Sequence, residues 1–149
     1  MGSYINETLL SNEHIQFYTR PHWVVFLSPI VIILAAWIAY SYFALLSVIL
    51  LIFGIAAGAR AFIFYQTSEY AITDKRILIK LGWVRRFSLE IYLNRVESVQ
   101  VNQSVLGRIL GYGAVQVVGI GGSPDFFPWV PNPLEFRKQA QEAMEKFVK

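Results

Sequence analysis

The sequence contains no cysteine, and charged residues are scarce. The absence of cysteine excludes disulfides, thiol catalysis and cysteine metal sites. Charged residues make up 15% of the 149 residues, against about 25% in a typical soluble domain. The shortfall is local, because residues 23–59 carry no charge, whereas residues 60–149 have an ordinary soluble composition. One apolar block therefore accounts for the unusual composition.

The apolar block predicts a membrane α-helical hairpin over residues 23–64. A single helix over the uncharged block would be about 55 Å long at 1.5 Å per residue, but the hydrocarbon core of a bilayer is only about 30 Å thick. Two helices, Trp23–Tyr40 and Phe43–Phe64, each have about the spanning length. The break near Tyr40–Tyr42 suits a membrane interface, where tyrosine side chains are enriched.

The distribution of cations predicts that both termini are cytoplasmic. Cytoplasmic flanks of membrane helices carry an excess of Lys and Arg. The Tyr40–Tyr42 turn has none, whereas Arg20 precedes the first helix and Arg60 lies near the end of the second. Residues 1–22 are predicted to be a cytoplasmic flank, since they lack the basic and short apolar regions of a signal peptide. The predicted interfacial anchors are Arg20, His22, Trp23, Tyr40, Tyr42 and Arg60.

Small residues lie along the second predicted helix. Gly54 and Gly58 form a small-xxx-small pair, which permits close approach of another helix. The pair is compatible with packing on the first helix or on another subunit.

After Gln66 the hydrophobic pattern changes to the alternation of half-buried strands. It predicts six short strands, with a tight turn at Thr73–Arg76, a second turn at Gly82-Trp83 and a single helical turn over Val105–Leu110. Short strands at this spacing indicate a small barrel or sandwich.

The C-terminal segment has the pattern of an amphipathic helix. Asn132, Pro133 and Glu135 resemble the N-cap, N1 and N3 residues of a helix. One face carries Phe136, Ala140, Ala143 and Phe147, so both phenylalanines are expected to be buried. Residues 66–149 are therefore predicted to form a mainly-β, pleckstrin-homology-like (PH-like) split barrel capped by a C-terminal α-helix.

Several motifs together resemble one protein family. They are Arg20-Pro21-His22-Trp23, Glu69 to Ile77, Arg95 to Val99 with Gln103-Ser104, and Leu110-Gly111-Tyr112-Gly113. In this order they are similar to the bacterial pleckstrin-homology (PH) domain of small two-helix membrane proteins. The resemblance covers about residues 14–147. It implies the PH-like fold and a location in the bacterial cytoplasmic (inner) membrane, but little about activity.

The sequence gives little support to an enzyme. Both histidines, His14 and His22, lie in the N-terminal flank without a partner at metal-ligand spacing. The glycine-rich segment Gly119–Ser123 lacks the Lys-Ser/Thr of a phosphate-binding loop. We therefore predict no catalytic, cofactor or metal site. Nucleic-acid binding is not predicted either, because there is no recognition helix or aromatic stacking motif.

A basic stretch follows the predicted hairpin. We expect it to form a surface that faces the membrane or a partner and consists of Lys75, Arg76, Lys80, Arg85, Arg86, Arg95 and Arg108. Cations near anionic lipid each contribute roughly 1 kcal/mol, although the stretch is equally compatible with the ordinary positive-inside bias.

Two functions remain compatible with the sequence. The first is a non-enzymatic adaptor that docks a protein partner, or a second copy of itself, at the bilayer. The second is a binder of anionic lipid headgroups. We rank the adaptor first, because the Asp74-Lys75 connection is too short to form a cup for phosphate and adjacent Arg85 and Arg86 would point to opposite faces of a strand.

Overall fold

The computed structural model describes residues 3–82, 87–122 and 124–148. Within these residues, a short helix and a strand precede two long helices, and six strands and two further helices follow, as the sequence predicts for the region after Gln66. The elements are α1 (Ser3–Thr8), β1 (Ile15–Thr19), α2 (Leu27–Tyr40), α3 (Ala44–Thr67), β2 (Glu69–Thr73), β3 (Arg76–Leu81), β4 (Phe87–Tyr92), β5 (Val96–Asn102), α4 (Val105–Leu110), β6 (Tyr112–Gly119), β7 (Asp125–Pro131) and α5 (Pro133–Val148).

The two long helices form a hairpin. A 3-10 turn at Trp23–Phe26 leads into α2, and the amide of Phe43 donates to the carbonyl of Ala39 at the tight turn before α3. The segments Trp23–Tyr40 and Ala44–Thr67 are long and apolar enough to cross a membrane, and only 17% and 11% of an apolar 18-residue stretch in each is buried. Most of their apolar surface is therefore free to contact a surrounding medium.

The small residues of α3 serve contacts inside the hairpin. A Cβ placed on Gly54 would lie 2.7 Å from Cγ1 of Ile33 on α2, and one on Gly58 would lie 3.8 Å from Cβ of Pro29. Ala36 and Ser47 are also buried between the helices. Of the two readings of the Gly54–Gly58 pair, the structure therefore shows packing of one helix on the other.

The strands form two antiparallel sheets. One has the order β1-β2-β3-β4 and the other has the order β5-β6-β7. Strand β1 lies in the N-terminal flank, for which the sequence pattern predicts no element. It pairs with β2 with Thr19 opposite Tyr70, so the helical hairpin is inserted between two neighbouring strands of one sheet.

One hydrophobic core joins both sheets to α5. Its fully buried members include Tyr70, Ile72, Ile77, Val115, Val117, Phe127, Val130 and Phe136. The Phe136 ring meets Phe17 of β1 edge-on at 5.9 Å. On the outer face of the first sheet, Ile5 of α1 covers Ala71 and Leu78. Two antiparallel sheets and a C-terminal helix around this core are consistent with a PH-like fold. We call this unit of two sheets and α5 the barrel.

Helix α5 begins at Pro133, as predicted, and the carbonyl of Asn132 accepts hydrogen bonds from the amides of Glu135 and Phe136. The expectation that both phenylalanines are buried is wrong for one of them. Phe136 is fully buried, but Phe147 is 44% exposed. Among the α5 side chains that the structure describes, Met144 is the last one packed against the core, so Phe147 lies beyond the buried part of the helix.

Candidate functional site

The prediction that Arg76 belongs to a basic surface facing the membrane or a partner is wrong, because its side chain is buried. Its Nε and Nη2 donate to the carboxylate of Glu13, both at 2.9 Å, and its Nη1 donates to Glu90 at 2.6 Å. Nη2 also reaches the carbonyl of Thr8 at 2.6 Å. The guanidinium therefore fastens the N-terminal segment to β3 and β4 and cannot face lipid or a partner.

The surroundings of Glu13 favour its charged form. Burial alone would raise the pKa of this carboxyl, but hydrogen bonds from Arg76, the Leu10 amide and the Thr73 hydroxyl outweigh burial and lower it. The same contact with Glu13 raises the pKa of Arg76. Both members of the pair are therefore charged in the folded protein near neutral pH.

The other predicted cations do not all share one environment. Arg95 and Arg108 are exposed, and Lys80 on β3 is half-buried. Lys75 is also half-buried, and its Nζ donates to the carbonyl of Ser11 at 3.3 Å. Arg85 and Arg86 lie outside the described residues. Arg108 lines a shallow cavity of about 580 Å³ with Asn132 and Glu135, and none of the other predicted cations that the structure describes lines this cavity.

A cluster of aromatic side chains in mutual contact lies where the barrel meets the helical hairpin. We call it the junction cluster, and it consists of His22, Trp23, Tyr112 and Trp129. The His22 ring lies 5.3 Å from Trp23 and 5.6 Å from Tyr112, and Tyr112 lies 5.6 Å from Trp129. The cluster joins the start of the first long helix to the second sheet.

Backbone hydrogen bonds fix this junction. The amide of His22 donates to the carbonyl of Trp129 at 2.7 Å. Its Nδ1 accepts from the Val24 amide and so caps the 3-10 turn. Because the ring is partly desolvated, the pKa of His22 is lowered, and the neutral form that can accept this bond is favoured. Trp129 has φ of 61°, a left-handed conformation that is uncommon for a residue other than glycine.

The loop before β6 is built by the motif residues Gln103, Ser104 and Gly111-Tyr112. Nε2 of Gln103 donates to the carbonyls of Gly107 and Tyr112, both at 3.0 Å. The Ser104 hydroxyl accepts from the Gly107 amide and caps α4. Gly111 ends α4 with φ of 77°. The loop is thus held rigidly beside the junction cluster, and two sequence motifs far apart in the chain meet there.

The predicted anchors lie at both ends of the hairpin. Arg20, His22 and Trp23 lie at the barrel end, where Nε of Arg20 donates to the Tyr18 hydroxyl at 3.1 Å. Arg60 is exposed and lines a cavity of about 390 Å³ with Pro29, Pro128 and Trp129. Tyr40 and Tyr42 lie at the far turn and are exposed.

Two members of the junction cluster, Tyr112 and Trp129, were not among the predicted site residues. Tyr112 belongs to a motif that carried the family resemblance, so the sequence contained a signal for this residue. Trp129 lies between Pro128 and Pro131 in β7, and no sequence motif pointed to it. Within the described residues, no group of three or more His, Asp and Glu side chains could hold a metal ion. The site is therefore a packed, mainly aromatic contact between two structural parts.

The chain matches the family model described as bacterial PH domain over residues 17–144. Because the match covers most of the chain, the protein belongs to the bacterial PH domain family. The matched region includes both long helices. No curated protein and no solved structure matches the sequence.

Proposed function

We propose that this protein is a non-enzymatic docking module held at the cytoplasmic face of the bacterial inner membrane by the hairpin α2–α3. Its PH-like domain would dock a protein partner or a second copy of the chain. The observation that carries the proposal is the junction cluster: a fixed contact orients the barrel relative to two helices whose apolar side chains are mostly exposed.

A rigid junction matters for docking. Two spanning helices already keep the protein in the bilayer, so the domain has no need of recruitment by charge. A barrel that is fastened to the hairpin always presents the same surface toward the cytoplasm, and pre-organisation of this kind lowers the cost of binding.

The topology can be tested by labelling, because the chain has no cysteine of its own. In intact cells, Ser41→Cys at the exposed far turn should react with a membrane-impermeant maleimide. Gln141→Cys, exposed on α5, is the matched control and should react only after permeabilisation. Labelling of Gln141→Cys in intact cells would contradict the proposed orientation, and protection of both sites until permeabilisation would contradict the spanning hairpin.

Binding of anionic lipid headgroups is the alternative function, favoured by the exposure of Arg95 and Arg108. The structure also gives reasons to rank it second. Arg76 is withdrawn into ion pairs, and Lys75 turns to the Ser11 carbonyl. The short β2–β3 connection therefore offers no free set of converging cations.

The two functions predict different results for the full chain in neutral nanodiscs. Headgroup binding requires saturable binding of short-chain phosphatidylglycerol that Arg95→Gln or Arg108→Gln weakens at least tenfold. Arg137→Gln, which changes another exposed arginine on α5, should not weaken it. The docking proposal predicts no such difference, and self-docking predicts a dimer mass in native mass spectrometry. A headgroup preference lost by one substitution would overturn our ranking.

A further inference from the structure

Helix α4 turns apolar side chains outward. Val105, Leu106 and Ile109 are 75%, 64% and 74% exposed, whereas Gly107 is buried. Three large aliphatic side chains on a helix of six residues form an unusual concentration of apolar surface. We call these three residues the α4 apolar tip.

Hydrogen bonds within the loop hold α4 in the orientation that exposes these side chains. The Ser104 cap and the two hydrogen bonds from Gln103 close the loop around Gly107. A Cβ on Gly107 would lie 2.5 Å from the carbonyl oxygen of Tyr112, so only glycine permits this close approach. Helix α4 is thus held with Gly107 inward, and the apolar tip cannot turn inward without breaking these contacts.

The loop lies beside the start of the first long helix. Tyr112, which follows the Gly111 cap, lines a cavity of about 380 Å³ with Leu27 and Val31 of α2. At the other end of α4, Ser104 lines a neighbouring cavity of about 260 Å³ with Tyr112 and Trp129. Both ends of α4 are therefore connected to the junction cluster, where the apolar surface of the hairpin begins.

We infer that the α4 apolar tip inserts into the headgroup–acyl boundary of the bilayer that holds the hairpin. The inference rests on the proposed function, in which α2 and α3 span the membrane. The position of the α4 loop beside the start of α2, where the apolar surface of the hairpin begins, favours lipid as the occupant. Arg108, exposed on the same short helix, adds a cation that can reach lipid phosphate while the aliphatic side chains are immersed. The tip is thus a third membrane contact that fixes the tilt of the barrel.

The test uses single cysteines in the full chain, each carrying the environment-sensitive fluorophore NBD, in phosphatidylcholine nanodiscs containing phosphatidylglycerol. Leu106→Cys and Ile109→Cys report on the tip. Ile120→Cys is the matched control, because Ile120 is 70% exposed but follows the opposite end of β6, about 26 Å along the strand from Tyr112. Ile52→Cys, in the middle of α3, reports on the hairpin itself.

Lipids with a doxyl quencher near the headgroup should reduce NBD emission at positions 106 and 109 at least twofold more than at position 120. Position 52 should be quenched by doxyl groups deep in the acyl chains. Quenching at 52 without quenching at 106 and 109 would overturn the inference and leave the proposed function intact. No quenching at 52 would contradict the spanning hairpin. A blue shift at 106 and 109 without lipid quenching would indicate a second copy or a protein on the tip and would also overturn the inference.

Discussion

Arg76 holds the N-terminal segment against the first sheet. It donates four hydrogen bonds, to Glu13, Glu90 and the Thr8 carbonyl, and both Arg76 and Glu13 are buried. Removing one partner of a buried ion pair leaves the other charge without compensation, which is more costly than the pair's own net contribution. We therefore expect single substitutions of Arg76 or Glu13 to lower the stability of the folded protein.

We expect Arg76→Met to lower the free energy of unfolding by about 3–5 kcal/mol, because Glu13 would remain buried without its cation. The measurement is a urea titration of the full chain in detergent, followed by tryptophan fluorescence. Lys138→Met is the control, because the Lys138–Glu142 pair is exposed and 3.9 Å apart, and its loss should cost less than about 0.5 kcal/mol. Equal midpoints for the two variants would contradict the structural role of Arg76.

Glu13 should also make stability depend on pH. Its pKa in the folded protein lies below the ordinary value of 4.5, so the unfolded chain binds the proton more readily. The resulting stabilisation is complete well above pH 4.5 and is lost as the pH falls through the lowered pKa. We expect Glu13→Gln to be less stable than the wild type at neutral pH but to lose less stability on acidification to about pH 3. Parallel losses in urea titrations at both pH values would contradict this assignment.

At the scale of elements, α5 offers a comparison of two phenylalanines in one helix. Phe136 is fully buried and contacts Phe17, whereas Phe147 is 44% exposed. Truncation of a buried phenylalanine costs about 3–5 kcal/mol through lost burial and the cavity that remains. We expect this loss in Phe136→Ala and less than about 1 kcal/mol in Phe147→Ala. Similar melting temperatures for the two variants would contradict the packing of α5.

The elements after Gln66 could be predicted because each carries a local signal. Alternation identified β2 to β6, and the Asn132-Pro133 pair marked the start of α5. Strand β1 was missed because its five residues, Ile15–Thr19, find their partner only beyond the helical hairpin. Phe147 fits the helical period, but periodicity does not indicate where the sheets end.

The candidate site was less accessible to sequence reasoning than the elements. Arg76 follows a charged turn and looked like a surface cation, because its partner Glu13 is 63 residues away. The junction cluster likewise joins residues from three distant segments. Two of its members, His22 and Trp23, were predicted as membrane anchors, and their contacts with Tyr112 and Trp129 depend on the tertiary fold.

At the scale of the whole molecule, the hairpin is an insertion between neighbouring strands. The register places Thr19 opposite Tyr70, so the end of β1 and the start of β2 lie side by side where the two long helices leave and return. Residues 66–149 alone therefore lack β1, and with it Phe17, which packs against the core, and the helix α1 that covers Ala71 and Leu78.

This arrangement predicts that the barrel survives removal of the hairpin. Replacement of residues 21–67 by a short Asn-Gly-containing turn would join β1 to β2 as an ordinary antiparallel hairpin. We expect this shortened protein to be soluble without detergent and to unfold cooperatively, whereas the fragment 66–149 should aggregate because the covered face of β2 and β3 becomes exposed. Circular dichroism melting and light scattering of the two proteins provide the measurement. A fragment 66–149 as soluble and as stable as the shortened protein would show that β1 and α1 are dispensable, and a shortened protein that aggregates would show that the barrel needs its hairpin.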